Sequence, residues 1–284
     1  VTDRLRPLWD FDDLEATALR LHEQLDRESS DAGRAEVLTQ LARVDGLRGD
    51  FEAGEQLLHD AERLAGDSAV AAARIDLERG RLLRSGGDPS GAFPLFESAF
   101  DRALREDEDF VAGDAAHMAA LAAPDRAGYE AWTQRGIELA RSSESASYWL
   151  GPLLNNVGWE RYDAGEFEPA LQAFQDALSA RERDPDNPTA IAIAHYAVAK
   201  AYQGLGRHEE ALDELERAAG LWEQAGETPD GWHHEALAES YAALGRASEA
   251  REHAARALPM LRDADPSFEG DEGRVARLRA LAGS

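Results

Sequence analysis

The chain states one phrase twice at a fixed interval. Tyr202-Gln-Gly-Leu-Gly-Arg-His-Glu-Glu-Ala211 returns 39 residues later as Tyr241-Ala-Ala-Leu-Gly-Arg-Ala-Ser-Glu-Ala250. Self-similarity at such a period marks architectures that stack one supersecondary element on the next. A single element of this kind cannot bury its apolar face alone, so stacked neighbours must complete the core. Stacked helical pairs mostly build binding surfaces, and function then lies between the repeated positions.

Around each phrase the spacing is W-x-x-L-G-x-x-Y followed by A-x-x-x-F in degenerate form. It reads His195-x-x-Val198-Ala199-x-x-Tyr202 with Ala211-x-x-x-Leu215. The next copy is His234-x-x-Leu237-Ala238-x-x-Tyr241 with Ala250-x-x-x-Ala254. An earlier copy is Leu154-x-x-Val157-Gly158-x-x-Arg161 with Ala170-x-x-x-Phe174. Over 150–262 this resembles the tetratricopeptide repeat (TPR) of bacterial proteins. The first half matches loosely, through Leu38-x-x-Leu41-Ala42, then Gly80 with Ala92-x-x-x-Phe96, then Ala112 to Ala119 with Gly128-x-x-x-Trp132. Anchors at Gly54, Ala92, Gly128, Ala170, Ala211 and Ala250 lie 38, 36, 42, 41 and 39 apart. The resemblance implies an all-α, right-handed α-solenoid of about six TPR-like helical pairs with N- and C-terminal capping helices.

Physical reasons support the pattern. Small residues at Gly158, Ala199 and Ala238 admit a close partner helix, and Leu-Gly or Ala-Gly pairs at 164–165, 205–206 and 244–245 suit helix C-caps. Apolar residues recur at helical spacing, as in Leu14, Ala18, Leu21 and Leu25. Turn and helix-start signals at Gly86-Gly-Asp-Pro89, Ala123-Pro124, Asp184-Pro-Asp-Asn-Pro188, Gly226-Glu-Thr-Pro229 and Asp265-Pro266 separate the pairs. The predicted pairs are 31–65, 67–106, 108–141, 146–183, 187–225 and 230–263. Residues 1–8 read as an extended lead-in, a capping helix follows over about 10–27, and another closes the chain over 271–282. No linker divides the sequence, so one domain over 1–284 is expected. It comprises an N-terminal cap (1–30), degenerate repeats (31–145), clear repeats (146–263) and a C-terminal cap (264–284).

Composition narrows the function classes. A net charge of −26 repels phosphate backbones and anionic bilayers, so neither nucleic acid nor membrane is an expected partner. The same charge also serves solubility alone. The sequence has no cysteine, which excludes disulfides, thiolate catalysis and Cys-ligated metal. The start lacks the apolar run of a signal peptide and no stretch is long enough to span a bilayer, so a cytoplasmic location is expected. No phosphate-binding loop, nucleophile elbow or metal-ligand spacing occurs, and no cofactor or metal is expected.

In the family's pattern the second, fifth, ninth and twelfth positions of each first helix face the concave side. By resemblance these include Arg74, Leu77, Arg81 and Arg84, then Phe110, Gly113 and His117. They continue with Pro152, Asn155, Trp159 and Tyr162, then Ile193, Tyr196, Lys200 and Gln203, and finally Trp232, Glu235 and Glu239. Aromatic groups supply rigid contact area, and arginines bind carboxylate or phosphate bidentately. The arginines would otherwise pair with neighbouring acids. Asp114 and His117, three apart, form a possible acid/base pair, although a structural histidine explains them as well. Lys200 is the only lysine and a candidate nucleophile. Asn155-Asn156 resembles the asparagines of chaperone-binding carboxylate clamps. Gly113, Ile193 and Ala197 stand where that clamp needs basic groups, so the clamp is rejected. The leading expectation is a non-enzymatic module holding a peptide or protein segment. The alternative is a small-molecule or catalytic pocket around Asp114, His117, Trp159, Tyr162 and Lys200. A homo-oligomer built through the solenoid ends is a third reading.

Overall fold

The computed structural model describes residues 3–283. They form fourteen α-helices joined by short turns, with no strand among the described residues. The elements are α1 (Leu14–Arg27), α2 (Asp31–Leu47), α3 (Phe51–Ala65), α4 (Ala69–Ser85), α5 (Pro89–Arg105), α6 (Asp109–Ala122) and α7 (Arg126–Ser142). They continue as α8 (Leu150–Asp163), α9 (Phe167–Arg181), α10 (Pro188–Gly204), α11 (His208–Ala225), α12 (Gly231–Ala243), α13 (Ala247–Ala264) and α14 (Glu272–Ala282). Helices α2 to α13 are the six predicted pairs of an all-α solenoid fold, and within each unit successive helices pack on one another. The contacts group the chain into two compact units, which divide between Leu153 and Leu154 within α8.

Caps explain where the helices start. The side chains of Ser30, Asp50, Asp88 and Asn187 each accept the backbone N–H three residues on. Such a cap contributes about 1 kcal/mol. The repeated phrase explains where they stop. Gly206 and Gly245 have φ of 71° and 74°, a left-handed turn that costs glycine little. That turn lets the Arg207 N–H donate to the Tyr202 carbonyl at 2.9 Å, and the Arg246 N–H to that of Tyr241 at 2.8 Å. It also folds each guanidinium over its tyrosine ring, at 4.5 Å and 4.4 Å from the centroid. The phrase is therefore a complete helix-ending device.

The first unit buries Leu21, Leu38, Leu41 and Ile75 in one cluster, and Phe96, Val111 and Trp132 in another. The second unit buries Phe174 and Val198, then Leu215 and Leu237, then Leu261 and Leu278. Each fully buried large side chain contributes about 1.5–3 kcal/mol. The closing helix α14 places Val275 and Leu278 against Ala254, Ala257 and Leu261.

The N-terminal segment departs from the expectation of an extended lead-in. Val1 and Thr2 lie outside the described residues. Beyond them, Arg6–Leu8 form a 3-10 turn and Leu5 is only 1% exposed. Asp3 accepts the Leu5 N–H at 2.7 Å and an ion pair from Arg74, 71 positions on. A long-range charge therefore folds a stretch with no periodicity of its own. Helix α1 starts at Leu14 rather than near residue 10, because Asp13 supplies its N-cap and Asp10 instead caps a turn at Asp12 and Asp13.

Candidate functional site

The first unit encloses a cavity of about 240 Å³. Helices α2, α4 and α6, the first members of their pairs, supply Arg43, Arg74, Arg81, Asp114 and His117. The predicted residues Arg74, Arg81, Asp114 and His117 therefore come together. Arg84 is half-buried outside the lining. The N-terminal segment adds Arg6, Trp9 and Phe11, and a turn before α8 adds Tyr148 and Trp149.

Two of the arginines are committed inside the protein. Arg74, 5% exposed, pairs with Asp3 and, at 3.2 Å, with Glu36. Arg81 pairs with Asp114 and, at 3.1 Å, with Glu78. Burial works against the charge of Arg81, but Asp114 and Glu78 outweigh it and raise its pKa. Internal pairing, the competing reading from sequence, holds for these two. The other two arginines differ. Arg43 lies 3.9 Å from Asp114 and otherwise rests on the rings of Trp9 and Phe11, at 5.0 Å and 5.3 Å. Burial, then Arg81, pulls its pKa below the ordinary arginine value. Arg6 donates to the Tyr148 hydroxyl at 3.1 Å and rests on Phe11 and Tyr148.

Glu78 is 1% exposed, and neither carboxylate oxygen makes a hydrogen bond. Burial, opposed by Arg81 and Arg43, raises its pKa. His117 stacks on Trp149 with centroids 5.6 Å apart, and burial lowers its pKa to about 4. It is therefore neutral near pH 7. Asp114 is taken by Arg81 and Arg43, so it does not serve His117 alone as an orienting carboxylate.

The second unit holds the remaining predicted residues in two hollows. One, of about 320 Å³, is lined by Trp159, Ile193, Tyr196, Trp222, Asp230 and Trp232. Three successive first helices, α8, α10 and α12, contribute Trp159, Tyr196 and Trp232. Ile193 is 44% exposed. Burial, then Glu235 and Asp230, raises the pKa of Tyr196, so its phenol stays protonated. The other hollow, of about 380 Å³, includes Tyr162, Lys200, Gln203, Glu239 and Arg277. Lys200 Nζ lies 3.4 Å from Glu239, whose other oxygen lies 3.1 Å from Arg277. Lys200 is thus an ion-paired wall residue rather than an isolated amine. The five residues of the predicted mixed pocket line three separate cavities, Asp114 and His117 the first, Trp159 the second, and Tyr162 with Lys200 the third.

Two predicted residues are placed otherwise. Glu235 is 7% exposed and receives Arg274 at 2.8 Å and 3.0 Å, which ties α12 to α14. Its role as a ligand group is corrected to a structural one. Asn155 lines neither hollow, and its buried Oδ1 has no hydrogen bond. Sequence reasoning missed Arg6, Trp9, Arg43, Glu78, Trp149 and Trp222. Arg43 had a signal. Set on Gly54, the register used for the other pairs makes residue 43 the ninth position of α2.

No helix among the described residues is long and apolar enough to cross a membrane. The tetratricopeptide repeat family model matches residues 190–263. No curated protein matches the chain. Among solved structures, apo RapI is similar over 98% of this chain and 80% of its own, with TM-score 0.70 and 14% identity. Aspartyl phosphate phosphatase F from Bacillus subtilis is similar over 98% and 75%, with TM-score 0.58 and 14% identity. The quorum sensor NprR from B. thuringiensis, in its apo form, is similar over 98% and 85%, with TM-score 0.56 and 13% identity. At these identities the likeness concerns the fold. Residues 190–263 thus carry tetratricopeptide repeat sequence, and the helical pairs of α2 to α13 share the all-α fold of these similar structures.

Proposed function

We propose that the chain is a binding module, without catalysis of its own, that holds a peptide or protein segment in the aromatic recess of the second unit. The observation that carries this reading is the convergence of α8, α10 and α12 on Trp159, Tyr196 and Trp232, with Ile193 exposed beside them. An extended segment would touch several successive pairs at once. Tryptophan and tyrosine are the side chains that anchor interfaces most often, because they bring large rigid area at little entropic cost. Asp230 is the charged group of the recess, and the whole chain carries −26. The expected partner therefore presents an aliphatic or aromatic side chain next to arginine or lysine. The similar structures include a quorum sensor and a phosphatase, so this fold serves more than one task and does not assign one.

Selection from a displayed random peptide library tests the reading. The wild type should enrich peptides with an apolar residue beside a basic one. Ile193→Asp, at an exposed position, should retain the wild-type melting temperature and lose that enrichment. Equal enrichment by the variant, or no enriched sequence for the wild type, would remove the recess as the site.

A further inference from the structure

The first unit's cavity has features that a peptide-holding recess in the second unit leaves unexplained. Four arginines and three carboxylates line it, in a chain whose overall charge is strongly negative. Arg74 and Arg81 are neutralised by Asp3, Glu36, Glu78 and Asp114. Arg6 makes no ion pair among the described residues, and Arg43 has only a long one to Asp114. Both guanidiniums instead lie against aromatic faces, with Phe11 shared between them. Stacking fixes a guanidinium plane without using its N–H donors. Leu77, Phe110 and Trp149 add apolar lining to the same cavity. Glu78, 1% exposed on the same lining, has its Oε2 3.1 Å from Arg81, so it does not take up Arg6 or Arg43. The N–H donors that Arg6 and Arg43 turn toward the cavity are thus left for an acceptor from outside the chain.

We propose that this cavity binds a small monocarboxylate with an apolar or aromatic body, whose carboxylate bridges Arg6 and Arg43. Carboxylate is favoured over phosphate by charge. With Glu36 counted, the four arginines meet four carboxylates, so two loosely paired guanidiniums suit a single negative charge while a dianion would face Glu78, Asp114 and the acidic chain uncompensated. An amine is disfavoured by four guanidiniums. The volume of about 240 Å³ suits one ring and a short tail, below the roughly 300–1,000 Å³ of drug-sized sites. The same chemistry is presented by a free aromatic acid and by the C-terminal residue of a peptide.

Calorimetric titration of the full chain tests the proposal. The probes are 3-phenylpropanoate, its primary amide, 3-phenylpropylamine and phenyl phosphate, with a peptide ending in free Phe and its C-terminal amide twin. A carboxylate should bind, and its amide should bind at least about tenfold more weakly, the loss of one charge-assisted pair. Binding of 3-phenylpropanoate alone would identify a free acid as the ligand. Tighter binding of the free-acid peptide would identify a chain end. Arg6→Gln, at a half-exposed position, and Arg43→Gln should each weaken binding, with folding checked by helical circular dichroism. Ile193→Asp should leave it unchanged, which separates this site from the recess. Equal binding of acid and amide, preference for the amine or the phosphate, unaltered affinity in both arginine variants, or no binding of any carboxylate would overturn the proposal.

Discussion

A β-carbon at Gly158 would lie 2.3 Å from two ring carbons of Phe174. That ring is fully buried and meets the Trp159 indole edge to face at 5.0 Å, so it has little room to retreat. Gly158→Ala should therefore lose stability by about 1–3 kcal/mol in urea unfolding, despite a helix-propensity gain of about 1 kcal/mol. Gly220→Ala is the internal control. No atom lies within 4 Å of its new carbon, and it should gain up to about 1 kcal/mol. If both variants changed stability by the same amount, close packing would not explain Gly158. The residue scale also sets a pH test in the first unit's cavity. Burial raises the pKa of Glu78 above 4.5, against Arg74 and Arg81 on α4 and Arg43 on α2, with Asp114 on α6 assisting. Its contribution is fully present below 4.5 and is lost as pH rises through the raised value. The stability of Glu78→Gln relative to wild type should thus climb with pH above 4.5. For His117, lowered to about 4, the sign reverses. Its contribution is present above 6.5 and lost as pH falls toward 4, so His117→Gln should gain on wild type in that window. Urea midpoints measured across pH read both slopes, and parallel curves for the three proteins would contradict both assignments.

At the scale of elements, helix α14 completes the second unit rather than adding to a site. Leu278 is fully buried against Leu261 and Phe268, and Arg274 reaches Glu235 and Asp265. Leu278→Ala should cost about 2–5 kcal/mol, read as a lower urea midpoint. A loss under about 1 kcal/mol would mean that α14 is a loosely held tail. This helix was legible in the sequence, predicted over 271–282 and found at Glu272–Ala282. The six pairs were legible for the same reason: their breaks carry glycine, proline and capping residues whose backbone preferences act locally. The segment before α1 was not. Its turn depends on Arg74, and nothing within eight residues announces a charge 71 positions away. The site divided along the same line. Arg74, Arg81 and His117 sit on repeat positions and were found by spacing, and Asp114 by its place three residues before His117. Arg6, Trp9 and Trp149 lie in connections and reach the cavity only through tertiary folding. Arg43 was within reach of the same ruler, on the most degenerate pair.

Across the whole molecule, charge is the property that acts farthest. A surplus of acidic groups raises self-repulsion in the compact state and attracts cationic partners from a distance. Salt weakens both effects together. The screening length falls from roughly 30 Å at 0.01 M to about 8 Å at 0.15 M, below the spacing of many surface charges. The free protein should therefore melt at higher temperature as sodium chloride rises over that range. A peptide selected on the recess should lose affinity over the same range, mostly through slower association. The apolar anchor beside Trp159 and Trp232 is not screened, so binding should level off above zero instead of vanishing. Carboxylate binding in the first unit's cavity should respond less, because the Arg43 side chain is only 20% exposed and its interaction runs largely through protein. Melting curves and surface-plasmon kinetics at matched salt concentrations give all three trends. A peptide affinity indifferent to salt would mean that Asp230 and the acidic field have no part in recognition, leaving the apolar anchor as the whole of it.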